Sequence, residues 1–536
     1  MRLLAAFLAF LAVADPLAAS AQTLDGIGGG SASFGAMAEG QTRRLTLAAR
    51  PGDYLRGRIV AEGGPFALDL LDAQGRHLRR LAAGVSVSGA FHFVAQAESL
   101  TLETTASGEG EMSIVLDPAI VADGEPRDAD EPAFLSPTLA ALSDAIAAGE
   151  GTGAFWQRIG REGAPLIERG SQGDAIVTFL ARGAERNVRL FGGPDGNHTE
   201  LKRLGASDVW YASFSLPATT RLAYRIAPDV PTFEGTARER RVAILATAQA
   251  DPLNPRRWPA EAPDAFNQHS MLELPDAPEQ PGFQEGAQPQ GRSTRLAAPS
   301  AHLGNEREIT LYRPAGFDPA HPRAGLLILF DGLEYQTRVP APAILDALIA
   351  EKRIAPMAVV FVPSVSPQWR ARELPGNPDF ASFLADELLP LVKAELEFDV
   401  PAARTILAGS SYGGLAAVTA ALAEPQAFGN ALSLSGSFWW HPEGTPAEEA
   451  VYVASRIAGA PRADIRFHLS AGLFETGRPG VTGILETSRH VRDVAAAKGY
   501  RVTYREYAGG HDYAVWRGAL ADGLIALTAP EGADPW

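Results

Sequence analysis

The sequence predicts a multidomain protein in which two β-sandwich modules precede a larger domain, with a mostly parallel sheet and helices on both faces. The chain has 536 residues, which is too long for one hydrophobic core and suggests two to four domains. Short alternating segments separated by glycine-rich turns fill the first half, as in a sandwich. Continuously apolar strands that alternate with helical segments fill the second half, which indicates a parallel sheet.

The first 21 residues are predicted to be a signal peptide that is not part of the fold. Arg2 supplies a basic start, residues 3–13 are apolar, and residues 19–21 are small, as a cleavage site requires. The apolar run is too short for a stable membrane-spanning helix, although a retained anchor is the alternative. We therefore expect cleavage after Ala21 and a periplasmic or secreted protein.

The composition excludes several function classes. Because the chain has no cysteine, disulfides, a lipoprotein anchor, thiol chemistry and cysteine-based metal sites are excluded. A net charge of −16 argues against a nucleic-acid partner. No later segment approaches the length of a membrane span, so no stable membrane insertion is expected. An anionic substrate would need a local basic pocket to overcome the overall charge.

The two β modules are predicted at 22–118 and 119–250. "RRLTLAA", "FALDLLDAQG" and "SLTLETTASGEGEMSIVLD" alternate in the first module, and nothing in it resembles a catalytic motif. Helices lead the second, with Ser136 as the N-cap of the first helix, and "DAIVTFLARG" and "VWYASFSLP" follow as strands. The aromatic residues of "VWYASFSLP" are expected to belong to the sandwich core or edge, and a sugar-binding platform is the alternative: Trp210, Tyr211 and Phe214.

A linker and the large domain complete the chain. Residues 251–292 are dense in proline and acidic residues and are predicted to form an extended linker that wraps the next domain. Residues 293–536 contain the buried strands "AGLLILFDG" and "MAVVFVPSV" and the long amphipathic helix "DFASFLADELLPLVKAEL". We find no internal repeat.

Within the large domain, "GSSYGG" lies between an apolar strand, 406–408, and a helix-forming stretch. Gly409-Ser-Ser411-Tyr-Gly413 fits the G-x-S-x-G nucleophile elbow of the α/β-hydrolase fold, in which the serine occupies a strained strand-to-helix turn. Such a turn accepts only small flanking residues, which selects Ser411 and not Ser410 as the nucleophile.

A serine nucleophile requires a base, which should follow it in the chain because this fold orders its triad as serine, acid, histidine. His511 in "YAGGHDYAVW" follows a strand and two glycines, which makes it the predicted base. His490 lies inside a helix and is expected at the surface. His468 alternates within a strand and is expected to be a packing residue.

Glu475 is the predicted acid that orients the imidazole, since it follows a strand in "DIRFHLSAGLFETG" and lies 36 residues before His511. Two alternatives compete with it. Glu486 begins a helix, where an acidic residue is favoured for dipole reasons alone. Asp512 is adjacent to the histidine and would have awkward geometry.

Two backbone amides are needed to bind the oxyanion of the reaction. One is predicted to be that of Tyr412, the residue after the nucleophile. The other should come from the turn in "LFDGLEY", either Gly332 or Leu333. An ordinary Asp-Gly turn is the alternative for this segment.

With these residues in view, the sequence resembles the enterochelin (enterobactin) esterases. The resemblance rests on "WRARELPGNPDF", "AGSSYGGLAA", "SLSGSFWWHP" and "GGHDYAVWRGAL", and it extends upstream through "SPTLAALSDAIAAGEGTGAFW" and "DPLNP", from Ser136 to Leu527. It implies hydrolysis of the trilactone backbone of iron-loaded catecholate siderophores, with Ser411 as nucleophile, His511 as base and a less uniform acid. "FDGL" is similar to the oxyanion turn of the related mycolyltransferases, which favours the Leu333 amide.

Ferric enterobactin is bulky, aromatic and anionic, so arginines and flat aromatic faces should line its pocket. The candidate residues are Arg370, Arg372, Arg517, Trp439, Trp440 and Trp516. Arg517 could instead brace the last helix, and Trp439 could instead belong to the core.

The sequence therefore predicts an exported serine esterase that acts through an acyl-enzyme and needs no cofactor or metal ion of its own, since iron arrives with the substrate. A feruloyl or acetyl carbohydrate esterase is one alternative. A periplasmic protein that binds ferric siderophores without cleaving them is the other.

Overall fold

The computed structural model describes residues 23–121, 134–446, 451–477 and 482–529, which cluster into two compact units. Of these residues, 23–121 and 231–246 belong to the first unit, and the remainder belong to the second. The predicted signal peptide lies outside the described residues.

The strands of the first unit form two sheets around one core. They are β1 (Thr23–Asp25), β2 (Gly30–Met37), β3 (Thr42–Ala48), β4 (Tyr54–Gly63), β5 (Phe66–Asp72), β6 (His77–Val85), β7 (Ser88–Val94), β8 (Ser99–Ala106) and β9 (Gly110–Leu116). The sheet orders are β1-β3-β8-β5-β6 and β2-β9-β4-β7. Alternating side chains of β3 and β8, such as Leu45 and Leu102, share a hydrophobic cluster with Ile59 of β4 and Ile114 of β9.

The second unit begins with two helices and a group of strands. These elements are α1 (Pro137–Ala147), α2 (Gly153–Glu162), β10 (Leu166–Arg169), β11 (Ala175–Arg182), β12 (Val188–Gly192), β13 (Lys202–Arg203), β14 (Val209–Leu216) and β15 (Arg221–Pro228). The predicted N-cap of α1 is confirmed, because the Ser136 hydroxyl accepts from the Leu139 amide at 3.1 Å. Trp210 and Tyr211 are buried, which rules out the sugar-platform interpretation of the β14 aromatics and leaves the core interpretation.

Residues 231–246 leave the second module and pack with the first unit, although the sequence places them within the second module. Their helix, α3 (Ala237–Ile244), starts with a capping box between Thr236 and Glu239. The ring of Phe233 stacks on Tyr54 at 5.8 Å, and Arg79 donates hydrogen bonds to the last carbonyls of the segment. Module boundaries in space therefore differ from the boundaries expected along the chain.

The segment 251–292, predicted to be an extended linker, contributes two strands to the second module. They are β16 (Arg257–Trp258) and β17 (His269–Glu273), in a sheet of order β12-β15-β17-β16. The other strands of this module form a second sheet of order β10-β11-β14-β13. The linker prediction is wrong for β17, because this strand is too short and too closely flanked by prolines to show an alternating pattern.

The large domain is an α/β domain. Its elements are β18 (Arg292–Ser300), β19 (Asn305–Arg313), β20 (Gly325–Phe330), α4 (Gly332–Thr337), α5 (Ala341–Ala350), β21 (Met357–Val362), α6 (Pro367–Glu373), α7 (Pro378–Ser382), a π-helical turn (Phe383–Leu388), α8 (Leu389–Leu396), β22 (Thr405–Ser410), α9 (Tyr412–Ala423), β23 (Asn430–Leu434), α10 (Tyr452–Gly459), β24 (Arg466–Gly472), α11 (Ile484–Ala497), β25 (Arg501–Tyr507) and α12 (Tyr513–Thr528).

These strands form one sheet of order β18-β19-β21-β20-β22-β23-β24-β25. The pairs from β21 to β25 are parallel, and β18 and β19 are antiparallel at one edge. Alternate residues of β20 enter two hydrophobic clusters, Leu326 and Ile328 on one face and Leu327 and Leu329 on the other. Helices thus cover both faces, and the carboxyl ends of the parallel strands meet at one edge. No helix within the described residues has the length and apolarity of a membrane span.

Candidate active site

The elbow at Ser411 is fixed by close packing between two glycines. β22 ends at Ser410 and α9 begins at Tyr412, which leaves Ser411 between them with φ of 58° and ψ of −120°. A Cβ atom added to Gly409 would lie 2.7 Å from the carbonyl carbon of Gly413, a distance that side chains do not tolerate. The turn is therefore strained at the serine and has no room for larger neighbours, as the motif predicts.

Ser411 is also tied to the loop that follows β23. Its amide donates to the Leu434 carbonyl at 3.0 Å, and its carbonyl accepts from the Ser437 amide at 3.1 Å. The hydroxyl oxygens of Ser411 and Ser437 lie 3.3 Å apart. Ser410, in contrast, is buried at the end of the strand. Ser411, and not Ser410, therefore carries the hydroxyl that lies in the turn beyond the strand.

The predicted base and the predicted acid lie in contact. His511 follows β25 and Glu475 follows β24, and these strands are neighbours in the sheet. The Nδ1 atom of His511 is 2.5 Å from Oε1 of Glu475. A carboxylate at Nδ1 holds the imidazole tautomer whose Nε2 atom can accept a proton.

The acid is held by further donors. Its second oxygen, Oε2, accepts from the hydroxyl of Ser435 at 2.7 Å and from the amide of Gly472 at 2.6 Å. The Nε1 atom of Trp516 donates to the Ser435 hydroxyl at 2.9 Å, and the Trp516 ring packs edge-on against His511 at 4.8 Å. Two donors thus hold one oxygen of the Glu475 carboxylate, and its other oxygen faces His511.

The competing residues have other positions. Glu486 lies in the first turn of α11, near the Gly477 amide at 3.2 Å. Asp512 caps α12 by accepting from amides of its first turn, and burial raises its pKa to about 6. His490 is exposed on α11. His468 is fully buried in β24, and burial lowers its pKa to about 3, which agrees with the predicted packing role.

The turn predicted to complete the oxyanion site lies beside the elbow. Asp331 has a left-handed backbone with φ of 53°, and Gly332 is required because an added Cβ would lie 2.7 Å from the Phe361 backbone. Since α4 begins at Gly332, the amides of Gly332 and Leu333 lack intrahelical partners. A Cβ on Gly413 would be only 3.5 Å from the Asp331 carboxylate, so the two turns are adjacent.

Arg370 braces these two turns. Its Nε and Nη2 atoms donate to both carboxylate oxygens of Asp331 at 2.6 and 2.7 Å, and its guanidinium lies 5.7 Å from the centre of the Tyr412 ring. The sequence assigns Arg370 to substrate binding, but Asp331 already compensates its charge. Arg372 is exposed and packs over the Trp369 ring at 5.1 Å, which leaves its charge available.

The three predicted tryptophans have different environments. Trp439 is 42% exposed and its ring lies 6.1 Å from that of Tyr412, which excludes the core alternative and leaves it a candidate for substrate binding. Trp440 is partly buried and packs edge-on against Tyr452 at 5.5 Å. Trp516 is buried behind the imidazole. Of the three, only Trp439 offers an open aromatic face beside the elbow.

Arg517 has different contacts from Arg370. It is buried in α12, where its Nε donates to Gln280 and its guanidinium packs 3.7 Å from the centre of the Phe283 ring. These contacts agree with the bracing alternative.

Sequence reasoning missed three residues of this site: Asp331, Ser435 and Ser437. Both serines lie in "SLSGSFWW", where alternating small polar residues after a buried strand were a usable signal. The role of Asp331 depends on a contact with Arg370, 39 positions away, and no local pattern predicts such a contact.

Comparison with known proteins agrees with this geometry. The Esterase family model matches residues 300–527, and the model of the enterochelin esterase N-terminal domain matches residues 176–283. The iron(III) enterobactin esterase of Dickeya dadantii is 31% identical over 425 residues, which cover 72% of this chain and 94% of that protein. The iron(III) salmochelin esterase of Escherichia coli is 31% identical, covering 73% and 97%.

Solved structures give the same result. The enterobactin esterase of Shigella flexneri, crystallised in the presence of enterobactin, has a TM-score of 0.57 and 30% identity, covering 70% of this chain and 98% of its own. The ferric enterobactin esterase of Salmonella typhimurium has a TM-score of 0.58 and 31% identity, with the same coverage.

The α/β domain and these relatives define a carboxylic-ester hydrolase. The match to these relatives includes both regions that the family models cover, and it extends over 94% of the Dickeya protein and 98% of the Shigella structure. The chain belongs to the enterochelin esterase family.

Proposed function

We propose that this protein hydrolyses the ester bonds of a ferric tricatecholate siderophore such as enterobactin and thereby releases its iron. The relatives named as iron(III) enterobactin and salmochelin esterases support this substrate class, because the chain covers nearly the whole length of each. The observation that carries the reaction type is the 2.5 Å contact between His511 and Glu475 at the edge where the elbow presents Ser411.

In the proposed reaction, the Ser411 hydroxyl attacks an ester carbonyl while His511 Nε2 accepts its proton. The amides of Tyr412 and of Gly332 or Leu333 stabilise the negative oxygen of the tetrahedral intermediate. Collapse breaks the ester C–O bond, and His511 returns the proton to the departing alkoxide. Water then attacks the acyl-enzyme by the same route, which releases a carboxylate and restores Ser411.

The surface beside the elbow suits an anionic aromatic substrate. Trp439 offers an exposed aromatic face next to Tyr412, and Arg372 supplies an exposed positive charge that packs over the Trp369 ring. Arg372 lies two residues after Arg370 on α6, and Arg370 braces the two turns through Asp331. We propose that Trp439 and Arg372 contact the catecholate part of the substrate.

The test is product analysis by liquid chromatography and mass spectrometry with iron-loaded enterobactin, iron-free enterobactin and methyl ferulate. We expect hydrolysis of the siderophore and much slower turnover of ferulate. Ser411→Ala should reduce turnover roughly 10⁴-fold or more. Ser410→Ala, at the buried neighbouring serine, is the matched control and should retain activity. A preference for ferulate would overturn the substrate, and hydrolysis that survives Ser411→Ala would overturn the mechanism.

We also propose that the protein is exported and that its first half forms two β-sandwich modules. Export is supported by the signal-peptide pattern of residues 1–21, and N-terminal sequencing of the protein recovered from periplasm or medium should begin at Gln22. Two β-sandwich modules are supported by hydrophobic clusters that residues of two sheets share in each β-rich region. An intact leader on cell-associated protein would contradict cleavage.

A further inference from the structure

A cavity of about 840 Å³ lies in the same structural unit as the candidate active site. It is lined by strand β17, by the segment that follows it, and by helices α5 and α12. None of Ser411, Glu475 and His511 contributes to its walls. Its walls include Arg221, Trp258, Glu273, Gln280, Phe283 and Arg517.

Arg517 is the unusual residue of this cavity, because it is only 6% exposed and its charge is not neutralised by contact. Its Nε atom donates to Gln280. Among the described residues, none accepts a hydrogen bond from its two terminal nitrogens, and no carboxylate lies within ion-pair distance of it. Burial, with a smaller effect of Arg221, lowers its pKa to about 10. A buried guanidinium in this condition favours an anionic ligand.

The acidic residues nearby do not fill this role. Glu273 accepts from Arg221 through one oxygen and from Arg256 through the other at 2.6 Å, so two arginines share its charge. Glu279, Glu285 and Glu351 line the cavity but are exposed to solvent, where their charges are screened. Arg517 therefore keeps a buried guanidinium that makes no ion pair with these carboxylates.

Aromatic walls flank that charge. The guanidinium carbon of Arg517 lies 3.7 Å from the centre of the Phe283 ring and 5.8 Å from that of Trp258. The two terminal nitrogens of a guanidinium can donate to both oxygens of one carboxylate, and the Nε atom of Arg517 is already engaged by Gln280. The two rings also present apolar surface on which a planar ring can pack.

We propose that this cavity binds an aromatic monocarboxylate, with the carboxylate on the terminal nitrogens of Arg517 and the ring against Trp258 and Phe283. If the proposed function is correct, on which this step alone rests, the ligand is a product. Hydrolysis of a serine trilactone leaves a free carboxylate on an N-aroyl serine, which has both required groups. The site would then bind product away from the reacting ester.

The test is isothermal titration calorimetry on the full chain with benzoate, with its neutral counterpart benzamide, and with acetate, which lacks the ring. We expect one benzoate per chain and at least tenfold weaker binding of the other two compounds. Arg517→Gln should weaken benzoate binding about tenfold or more, as expected for loss of a charge-assisted pair. Equal binding of benzoate and benzamide would overturn the proposal, as would the absence of binding at millimolar concentration.

Because Arg517 is buried, its substitution could disturb the fold, and a second variant that retains Arg517 is needed. Ala347→Phe adds a ring to the cavity wall from α5 and should abolish benzoate binding while siderophore hydrolysis is retained. Arg372→Gln, at an exposed arginine outside the cavity, is the matched control and should bind benzoate normally. Benzoate binding that survives Ala347→Phe but is lost after a fluorophosphonate blocks the active site would place the ligand there and overturn the proposal.

N-Benzoylserine tests the product assignment separately. We expect it to compete with benzoate in the wild type and to bind Ser411→Ala with unchanged affinity. Benzoate binding without N-benzoylserine binding would refute the product assignment and keep the carboxylate site. None of these ligands contains the ester that the active site is proposed to cleave, so failure of hydrolysis and failure of this site are distinguishable.

Discussion

The elbow around Ser411 and the imidazole–acid pair at His511 lie at the same edge of the sheet, but different interactions hold them. The elbow is fixed by backbone packing, since Gly409 and Gly413 approach too closely for a side chain. The pair is fixed by side-chain hydrogen bonds that converge on Glu475. We therefore expect added bulk to impair activity at the elbow, and loss of a hydrogen-bonding group to impair it at the imidazole–acid pair.

The largest effect expected from this difference is that of Glu475→Gln. The Gly472 amide and the Ser435 hydroxyl both donate to one oxygen, so the glutamine carbonyl should take that position and its NH₂ group should face His511. The histidine would then adopt the wrong tautomer and could not accept the serine proton. We expect turnover to fall by about 10⁴-fold, the loss that follows when the triad acid of a serine protease is replaced by its amide.

Glu486→Gln is the matched control for this prediction, because Glu486 is the acid that the sequence offers as an alternative and it contacts only the Gly477 amide at 3.2 Å or more. Steady-state kinetics on both variants decide between the two residues. A loss of activity in Glu486→Gln with little change in Glu475→Gln would reverse the assignment.

Gly409→Ala tests the role of bulk in the elbow. The new methyl group would lie 2.7 to 2.9 Å from the backbone of Gly413, which must move the strand or the helix that carries Ser411. We expect roughly a 10²-fold loss of turnover and a stability loss of about 1–3 kcal/mol, from displaced reacting groups and overpacking. Kinetics and urea unfolding measure both quantities.

The control for the elbow variant is Gly160→Ala in α2, where an added Cβ would have no neighbour within 4 Å. This substitution should leave activity unchanged and stabilise the helix slightly. Similar losses in the two glycine variants would show that packing at the elbow is not what fixes the serine.

Ser435→Ala should have a smaller effect, because Glu475 keeps its bond to Gly472. Loss of the Ser435 hydroxyl also leaves the indole N–H of Trp516 without its acceptor. We expect about a tenfold reduction in kcat with little change in KM, since the substitution affects the orientation of the acid and not substrate contact. Ser433→Ala, which removes a buried hydroxyl that makes no hydrogen bond with the described residues, should be nearly neutral. Equal effects would remove the positioning role of Ser435.

The smallest effect on activity is expected for His468→Gln, the histidine on the neighbouring strand. Burial lowers its pKa to about 3, far below the value of about 6.5 in an unfolded chain. Its neutral form therefore stabilises the fold fully above pH 6.5, and this contribution is lost as the pH falls toward 3. By pH 5 the loss is about 2 kcal/mol.

Urea unfolding between pH 7 and 5 checks this contribution. The slope of stability against pH should decrease in His468→Gln, whereas the pH profile of turnover should not change. A shifted activity profile would show that His468 takes part in the reaction, contrary to its packing role.

The sequence was sufficient for the elbow and its partners because their signals are local or follow chain order. The G-x-S-x-G turn and the order of Ser411, Glu475 and His511 depend on strand ends, which apolar runs reveal. The strand β17 was missed because it has only five residues, lies close to prolines and pairs with the distant strand β15 and with the two-residue strand β16. The pairing of Arg370 with Asp331 was missed because it depends on tertiary packing, which also explains why an expected substrate ligand has a bracing role.

The nucleophilic role of Ser411 is tested most directly by covalent labelling of the wild-type protein with a fluorophosphonate, followed by peptide mapping. We expect one label, on Ser411, and none in Ser411→Ala. We also expect that Glu475→Gln reacts far more slowly than wild type and that labelling abolishes siderophore hydrolysis. A label on Ser410 or Ser437, or full hydrolysis by the labelled protein, would contradict this role.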